Sequence, residues 1–126
     1  MNDLSQRLAT VGERVGLRPA GPAELDVVRQ RDAAIVGSLE VRHGSSPTDL
    51  IIWRLCIEAP DRGYGCGSEA ALLVTRAAFA AGWRRLLARA HPDFGLSVYF
   101  WARMGFRPLH GEGPEGGIWF ERKYAP

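Results

Sequence analysis

Residues 50–67, LIIWRLCIEAPDRGYGCG, decide how the rest of the chain is read. Leu50 to Ile57 is nearly continuous in apolar side chains, the pattern of a central strand buried on both faces. Arg54 alone interrupts it, and such an arginine snorkels to an edge, pairs with a carboxylate, or reaches a substrate. The strand passes into Arg62-Gly63-Tyr64-Gly65-Cys66-Gly67, and an alanine-rich helix is predicted over Ser68 to Ala81. A strand that delivers glycines to a helix N-terminus builds an anion site, because the backbone N–H groups are accessible and the helix dipole adds partial positive charge.

On the N-terminal side, Asp3 to Val15 places Leu4, Leu8, Val11 and Val15 at helical spacing, so a helix is expected there, weakened by Gly12. Leu17 to Pro22, with two prolines and a glycine, reads as an extended piece or a turn. Ala23 to Arg31 is either a short helix or a strand. Ala33 to His43 alternates as a strand, with Ile35, Leu39 and Val41 on one side and Arg42 outside the row. Gly44 to Thr48 is a turn by composition.

On the C-terminal side, the helix after the glycine loop puts Ala70, Leu73, Ala77 and Ala80 on one stripe, broadened by Leu72, Val74 and Phe79. Leu86 to Ala90 reads as a strand and Phe94 to Met104 as a helix closed by Gly105. Phe106 to Leu109 and Ile118 to Tyr124 form a hairpin across a glycine-rich turn at Gly111 to Gly117. This mixture of strands and helices makes a single α/β or α+β domain over residues 1–126, built on one sheet.

Composition narrows the function classes. A chain of 126 residues suits one core. No apolar run is long enough to span a membrane, and MNDLSQRLAT lacks the layout of a signal peptide, so a cytoplasmic protein with no membrane partner is expected. The net charge of +2 argues against a dedicated nucleic-acid binder, although arginine is abundant and Lys123 is the only lysine. That usage, with the abundant alanine and glycine, suits a GC-rich bacterial genome. Cys56, Cys66 and the scattered His43, His91 and His110 do not have zinc-site spacing, so no metal is expected.

The loop fits two common phosphate-binding patterns poorly. A Walker loop needs a Gly-Lys-Ser/Thr ending, and no lysine is present; a dinucleotide fingerprint needs its third glycine one residue later and a place after the first strand. Arg62-x-x-Gly65-x-Gly67 instead resembles the pyrophosphate loop of the GNAT acetyltransferase superfamily. IVGSLEV resembles that family's third strand, the strand ending at Ile57 its fourth, and LLARAHPDFGLSVYFWARMGF its fifth strand and following helix, closing on Gly105-Phe106. The resemblance runs from about Ala33 to the C-terminus and implies the acyl-CoA N-acyltransferase fold: a central mixed, mostly antiparallel sheet flanked by helices.

What the resemblance implies is an N-acetyltransferase that moves an acetyl group from acetyl-CoA to a primary amine of a small molecule, peptide or protein. Backbone N–H groups of Gly63, Tyr64, Gly65, Cys66, Gly67 and Ser68 would hold the coenzyme A pyrophosphate, with Arg62 assisting the phosphates or capping the loop. The pantetheine arm would lie along the fourth strand near Cys56 and Ile57, where the fourth and fifth strands splay apart. Trp101 stands where many members carry a tyrosine acid, and Phe94 where an asparagine often contacts the coenzyme. An indole N–H donates a hydrogen bond but is no acid at neutral pH. Tyr99 points to nearly the opposite helix face. Glu58, at the end of the fourth strand, is the candidate general base; a solvated carboxylate or a partner for Arg62 is its competing role, and His91 a more remote candidate.

The family usually spends a strand and two helices ahead of its third strand, and only 32 residues precede Ala33 here. Leu17-Arg18-Pro19-Ala20 resembles the end of its first strand and Glu24 to Asp32 its second; in so short a segment both are not expected to keep their usual roles. The acceptor side is then abbreviated, open, or completed by the second subunit of a homodimer. The alternative to an active enzyme is a coenzyme-A-binding or protein-interaction module that kept the fold and lost transfer.

Overall fold

The computed structural model describes residues 3–90, 96–109 and 117–126. A short helix, α1 (Leu4–Leu8), precedes three antiparallel strands, β1 (Thr10–Val11), β2 (Val15–Gly21) and β3 (Glu24–Arg29). Then come β4 (Ile35–His43) and β5 (Asp49–Ile57), a 3-10 turn at Ala59–Asp61, and the long helix α2 (Cys66–Ala80). The chain closes with β6 (Arg85–Ala90), α3 (Leu96–Arg103), β7 (Arg107–Pro108) and β8 (Ile118–Lys123). The strands form one sheet in the order β1-β2-β3-β4-β5-β6-β8-β7. Among the described residues only β5 and β6 pair in parallel, across the crossover helix α2, so the sheet is mixed and mostly antiparallel as expected.

The N-terminal segment corrects two expectations. The helix stops at Leu8, because Ala9 turns extended and the β-branched Thr10 and Val11 pair with Leu17 and Gly16. Val11 is 73% exposed, whereas Leu4, Leu8 and Val15 are buried. Gly12 is not a weak helix residue but a tight approach: a Cβ there would stand 2.7 Å from Glu69 Oε1 and 2.8 Å from the Val15 carbonyl oxygen. Both candidate strands of this segment form, as β2 and β3, because only Pro22 and Ala23 lie between them, with Gly21 opposite Glu24. Thus within Ala23 to Arg31 the chain is strand over Glu24–Arg29 rather than helix, and no helix separates β2 from β3.

Two bulges reset which side chains face inward. Val27 opposes Gly37 while Val28 opposes Ile35, which leaves Val36 as the extra residue on β4. That shift reverses the alternation, so Val36 is buried and Ile35, expected on the inner row, is 54% exposed. The second bulge is at Trp53: Val41 opposes Ile52, and Glu40 opposes Arg54.

One continuous core joins the sheet to all three helices, from Leu8 of α1 through Val74 of α2 to Trp101 of α3. The buried face of α2 is centred on Ala70, Val74 and Ala78, with Ala71, Leu73 and Thr75; Leu72 and Ala80, expected on the apolar stripe, are exposed. By strand alternation the small cluster of Ile51, Leu87 and Trp119 lies on the opposite face of the sheet, and among the described residues no helix joins it. At the far end of β5 the buried Asp49 meets Arg85, which also bonds Glu121, tying β5, β6 and β8 together away from the glycine loop. Among the described residues no helix is long and apolar enough to cross a membrane.

Candidate functional site

The site begins where the parallel pairing ends. Asp49 to Ile52 of β5 pair with Arg85 to Ala88 of β6, and among the described residues the β5 edge beyond Ile52 has no partner on that side. The Trp53 bulge coincides with this end point. An inserted residue bends its strand and strengthens its twist, so β5 turns away from β6 from Trp53 onward. The two strands therefore splay, and among the described residues the backbone of Trp53 to Ile57 is left unpaired on the β6 side.

The loop that follows delivers the chain to α2. Gly65 is the N-cap of α2 at φ 85°, and Gly63 lies at φ 87°, both in the left-handed region that side chains avoid. No side chain caps α2. The first bond into the helix runs from the Glu69 N–H to the Gly65 carbonyl. Among the described residues the backbone N–H groups of Gly63, Tyr64, Gly65, Cys66, Gly67 and Ser68 have no hydrogen-bond partner. Six successive free donors at the positive end of a 15-residue helix are chemically suited to a pyrophosphate. The helix begins two residues earlier than the sequence pattern indicates, so Cys66 and Gly67 belong to its first turn.

The loop is fastened from two sides. Arg62 Nε donates to the Ile57 carbonyl at 2.8 Å, which makes Arg62 a clasp on the loop and leaves Glu58 without it as partner. Asp61 receives Arg29 Nη1 at 2.9 Å, and Arg29 also bonds Asp32 at 2.9 and 2.8 Å. This pairing draws Asp32 down to about 2, chiefly through the Arg29 hydrogen bond, and pushes Arg29 up through the same bond. From the other side Arg14 Nη1 donates to the Tyr64 carbonyl at 2.8 Å. The Glu69 carboxylate, one helical turn into α2, accepts from the N–H groups of Glu13, Arg14 and Val15 at 2.7, 2.7 and 2.9 Å.

The remaining sequence candidates are placed as follows. Cys56 and Ile57 are half-buried on β5, and a Cβ on Gly67 would lie 3.4 Å from Ile57 Cγ1 and 3.7 Å from Phe100 Cε1. The start of α2, the end of β5 and α3 thus converge at the splay. Cys66 is buried, Tyr64 is 70% exposed, and Glu58 is exposed with no side-chain partner among the described residues. Trp101 is 4% exposed, with Phe100 and Phe106 rings edge-on at 5.0 Å each. Phe94 and His91 lie outside the described residues. Sequence reasoning missed Arg14, Arg29, Asp61, Glu69 and Phe100, most of which act across 32 to 56 residues of chain, with no local pattern to mark them.

No family model matches the sequence, and no curated protein does. Solved structures do match in shape. The PaiA N-acetyltransferase of Thermoplasma acidophilum, solved in complex with coenzyme A, superposes with a TM-score of 0.66 at 16% identity over 80% of this chain. A probable acetyltransferase of the GNAT family from Chromobacterium violaceum gives 0.71 at 16% identity, covering 93% of this chain and 91% of its own. The fold is that of the GNAT acetyltransferases. An IAA acetyltransferase from Bacillus cereus shares this GNAT fold with a TM-score of 0.66 at 15% identity, over 81% of this chain and 79% of its own. This chain spans 60% of the length of PaiA.

Proposed function

We propose that the protein is an acyl-coenzyme A-dependent N-acyltransferase, with acetyl-CoA as donor and a primary amine of a small molecule, peptide or protein as acceptor. One observation carries the reading: the run of unpartnered N–H groups from Gly63 to Ser68 opens directly beside the unpaired edge of β5. Such a run binds a pyrophosphate through backbone alone, and a free strand edge accepts an extended amide-containing arm as though it were a neighbouring strand. Bound acetyl-CoA supplies an activated thioester.

The chain's own residues then have distinct tasks. Gly63 and Gly65 keep the loop backbone bare, while Arg62 holds the loop back onto Ile57. Cys56, Ile57, Gly67 and Phe100 shape the channel beside the open edge. Glu58, exposed at the end of β5, takes a proton from the incoming ammonium through water. Trp101 contributes packing in an aromatic cluster, and protonation of the departing thiolate falls to solvent.

The test is calorimetry with acetyl-CoA followed by thiol release over a panel of amines. We expect saturable binding, lost in Gly65→Val, and turnover that Glu58→Gln slows by about a hundredfold, the lower end for a positioned base. The second reading, a coenzyme-binding module without transfer, draws on Trp101 standing in the core where an acid would be needed. Coenzyme binding with no thiol release from any amine selects it. Absence of coenzyme binding overturns both.

A further inference from the structure

The splay between β5 and β6 opens on two faces of the sheet. One is taken by α2 and α3, whose start and side chains converge on Gly67 and Ile57, so a pyrophosphate held by the loop would lie on that side. The other face at the same point carries a cluster of arginines. Trp53, at the bulge, packs with Ile51, Leu87 and Trp119, away from the helices. The Arg42 guanidinium carbon lies 3.6 Å from the centre of its ring system and that of Arg89 lies 3.9 Å away. Arg89 is the first residue of β6 beyond the last pair with β5. Arg54 follows the bulge opposite Glu40, which bonds Arg42 two residues along β4, so Arg54 belongs to this same face.

The charges here do not cancel. Glu40 answers Arg42 at 3.1 Å. Among the described residues the side chains of Arg54 and Arg89 have no hydrogen bond and no carboxylate partner, and Arg54 is exposed. Among the described residues three arginines, Arg42, Arg54 and Arg89, thus share this face with one carboxylate, Glu40, and two guanidinium groups share one indole. Cation–π contact holds such groups in place without neutralising them. A planar guanidinium fork that has no internal partner is fitted to a carboxylate or a phosphate.

Resting on the acyltransferase reading, we propose that this face receives the acceptor, and that the acceptor is an amine bearing an anionic group, held by Arg54 and Arg89 with Trp53 as the floor. Two unneutralised positive charges repel a plain cationic amine, so polyamines are excluded by the same residues that admit a zwitterion. The same field disfavours the ammonium form of a bound amine, which favours the neutral nucleophile. The anionic group has two sources, a carboxylate as in an amino acid or a phosphate as in an aminoalkyl phosphate.

Calorimetry tests this on the full chain, with and without coenzyme A, using glycine, 2-aminoethyl phosphate, glycine methyl ester and putrescine as probes. We expect glycine or 2-aminoethyl phosphate to bind at least about tenfold tighter than the ester and putrescine, the loss associated with a charged hydrogen bond. Whichever of the two binds tighter identifies the source. In Arg54→Gln and Arg89→Gln the preference over the ester should collapse while coenzyme A affinity stays unchanged, since both residues face away from α2. Equal affinity for glycine, its ester and putrescine overturns the proposal, as does a preference that survives both substitutions. Failure of coenzyme A to bind would sink the acyltransferase reading separately, because the probe titrations without coenzyme still report on the arginines.

Discussion

A Cβ placed on Gly65 would stand 2.7 Å from Arg14 Nη1, the same nitrogen that bonds the Tyr64 carbonyl. Gly65 is therefore constrained twice, by its φ of 85° and by the guanidinium that holds the loop. Gly67 is not: its φ is not in the left-handed region, and a methyl group there meets Ile57 and Phe100 at ordinary contact distance. Gly65→Ala should lower the thermal midpoint and weaken coenzyme A binding together. Gly67→Ala should leave the midpoint within a degree or so of the parent and weaken only binding, because its methyl group stands at the splay. Equal midpoints for the two variants would contradict the distinction.

The Glu69 carboxylate is the anchor of the N-terminal turn. It accepts three successive backbone N–H groups, and a charged acceptor serving exposed and half-buried donors contributes about 2 kcal/mol in total. Glu69→Ala should lower unfolding free energy in urea by about that amount. It should also loosen Arg14 from Tyr64, so coenzyme A affinity falls as well, and Arg14→Ala should reproduce the affinity loss with a smaller stability loss. A Glu69→Ala protein with parental stability would show that the turn is held by its strand pairing alone.

Acid stability should reflect the Arg29–Asp32 pair. Asp32 is lowered from 3.8 to about 2, first by its hydrogen bond from Arg29 and then by the Ala34 N–H. A carboxylate depressed in the folded state stabilises that state at every pH above its unfolded value, and the contribution is lost as pH falls through the folded value. The window is thus from about 4 down to about 2. Asp32→Asn should lower the thermal midpoint near pH 6 and flatten its fall between pH 4 and pH 2. Parallel midpoint curves for parent and variant across that range would refute it.

The order of strands, the glycine loop and the helix behind it were legible because each is written in neighbouring residues. Leu50 to Ile57 reads as a buried strand, Gly63 and Gly65 as a loop, Gly105 as a helix stop at φ 86°, whereas the sequence pattern starts the helix two residues late, leaving Gly67 out of its first turn. What was not legible is set by register. The Trp53 bulge opens the splay, yet nothing in Ile52-Trp53-Arg54 distinguishes a bulge from a plain strand interrupted by one arginine. The Val36 bulge likewise turned Ile35 outward against its alternation. In the N-terminal segment, Leu4, Leu8, Val11 and Val15 satisfy a helical period that tertiary pairing of Thr10 and Val11 overrides. Arg14 and Glu69, which fix the loop, are joined only in the fold, so their pairing could not be read along the chain.

Ala33 offers a stability test that is independent of the site. It lies at φ 60°, the one non-glycine residue in the left-handed region among the described residues, in the turn between β3 and β4. Its N–H donates to the Arg29 carbonyl at 2.8 Å, and the Arg29 N–H donates to the Ala34 carbonyl at 2.8 Å, so the surrounding turn holds it there. The left-handed conformation costs an alanine roughly 1–2 kcal/mol because its Cβ crowds the carbonyl oxygen, and glycine removes that crowding. Greater freedom of glycine in the unfolded chain offsets part of the gain, roughly 0.4–1 kcal/mol. Ala33→Gly should therefore raise unfolding free energy in urea by up to about 1 kcal/mol with no change in the denaturant slope. A lowered midpoint would mean that Ala33 does not hold this conformation in solution.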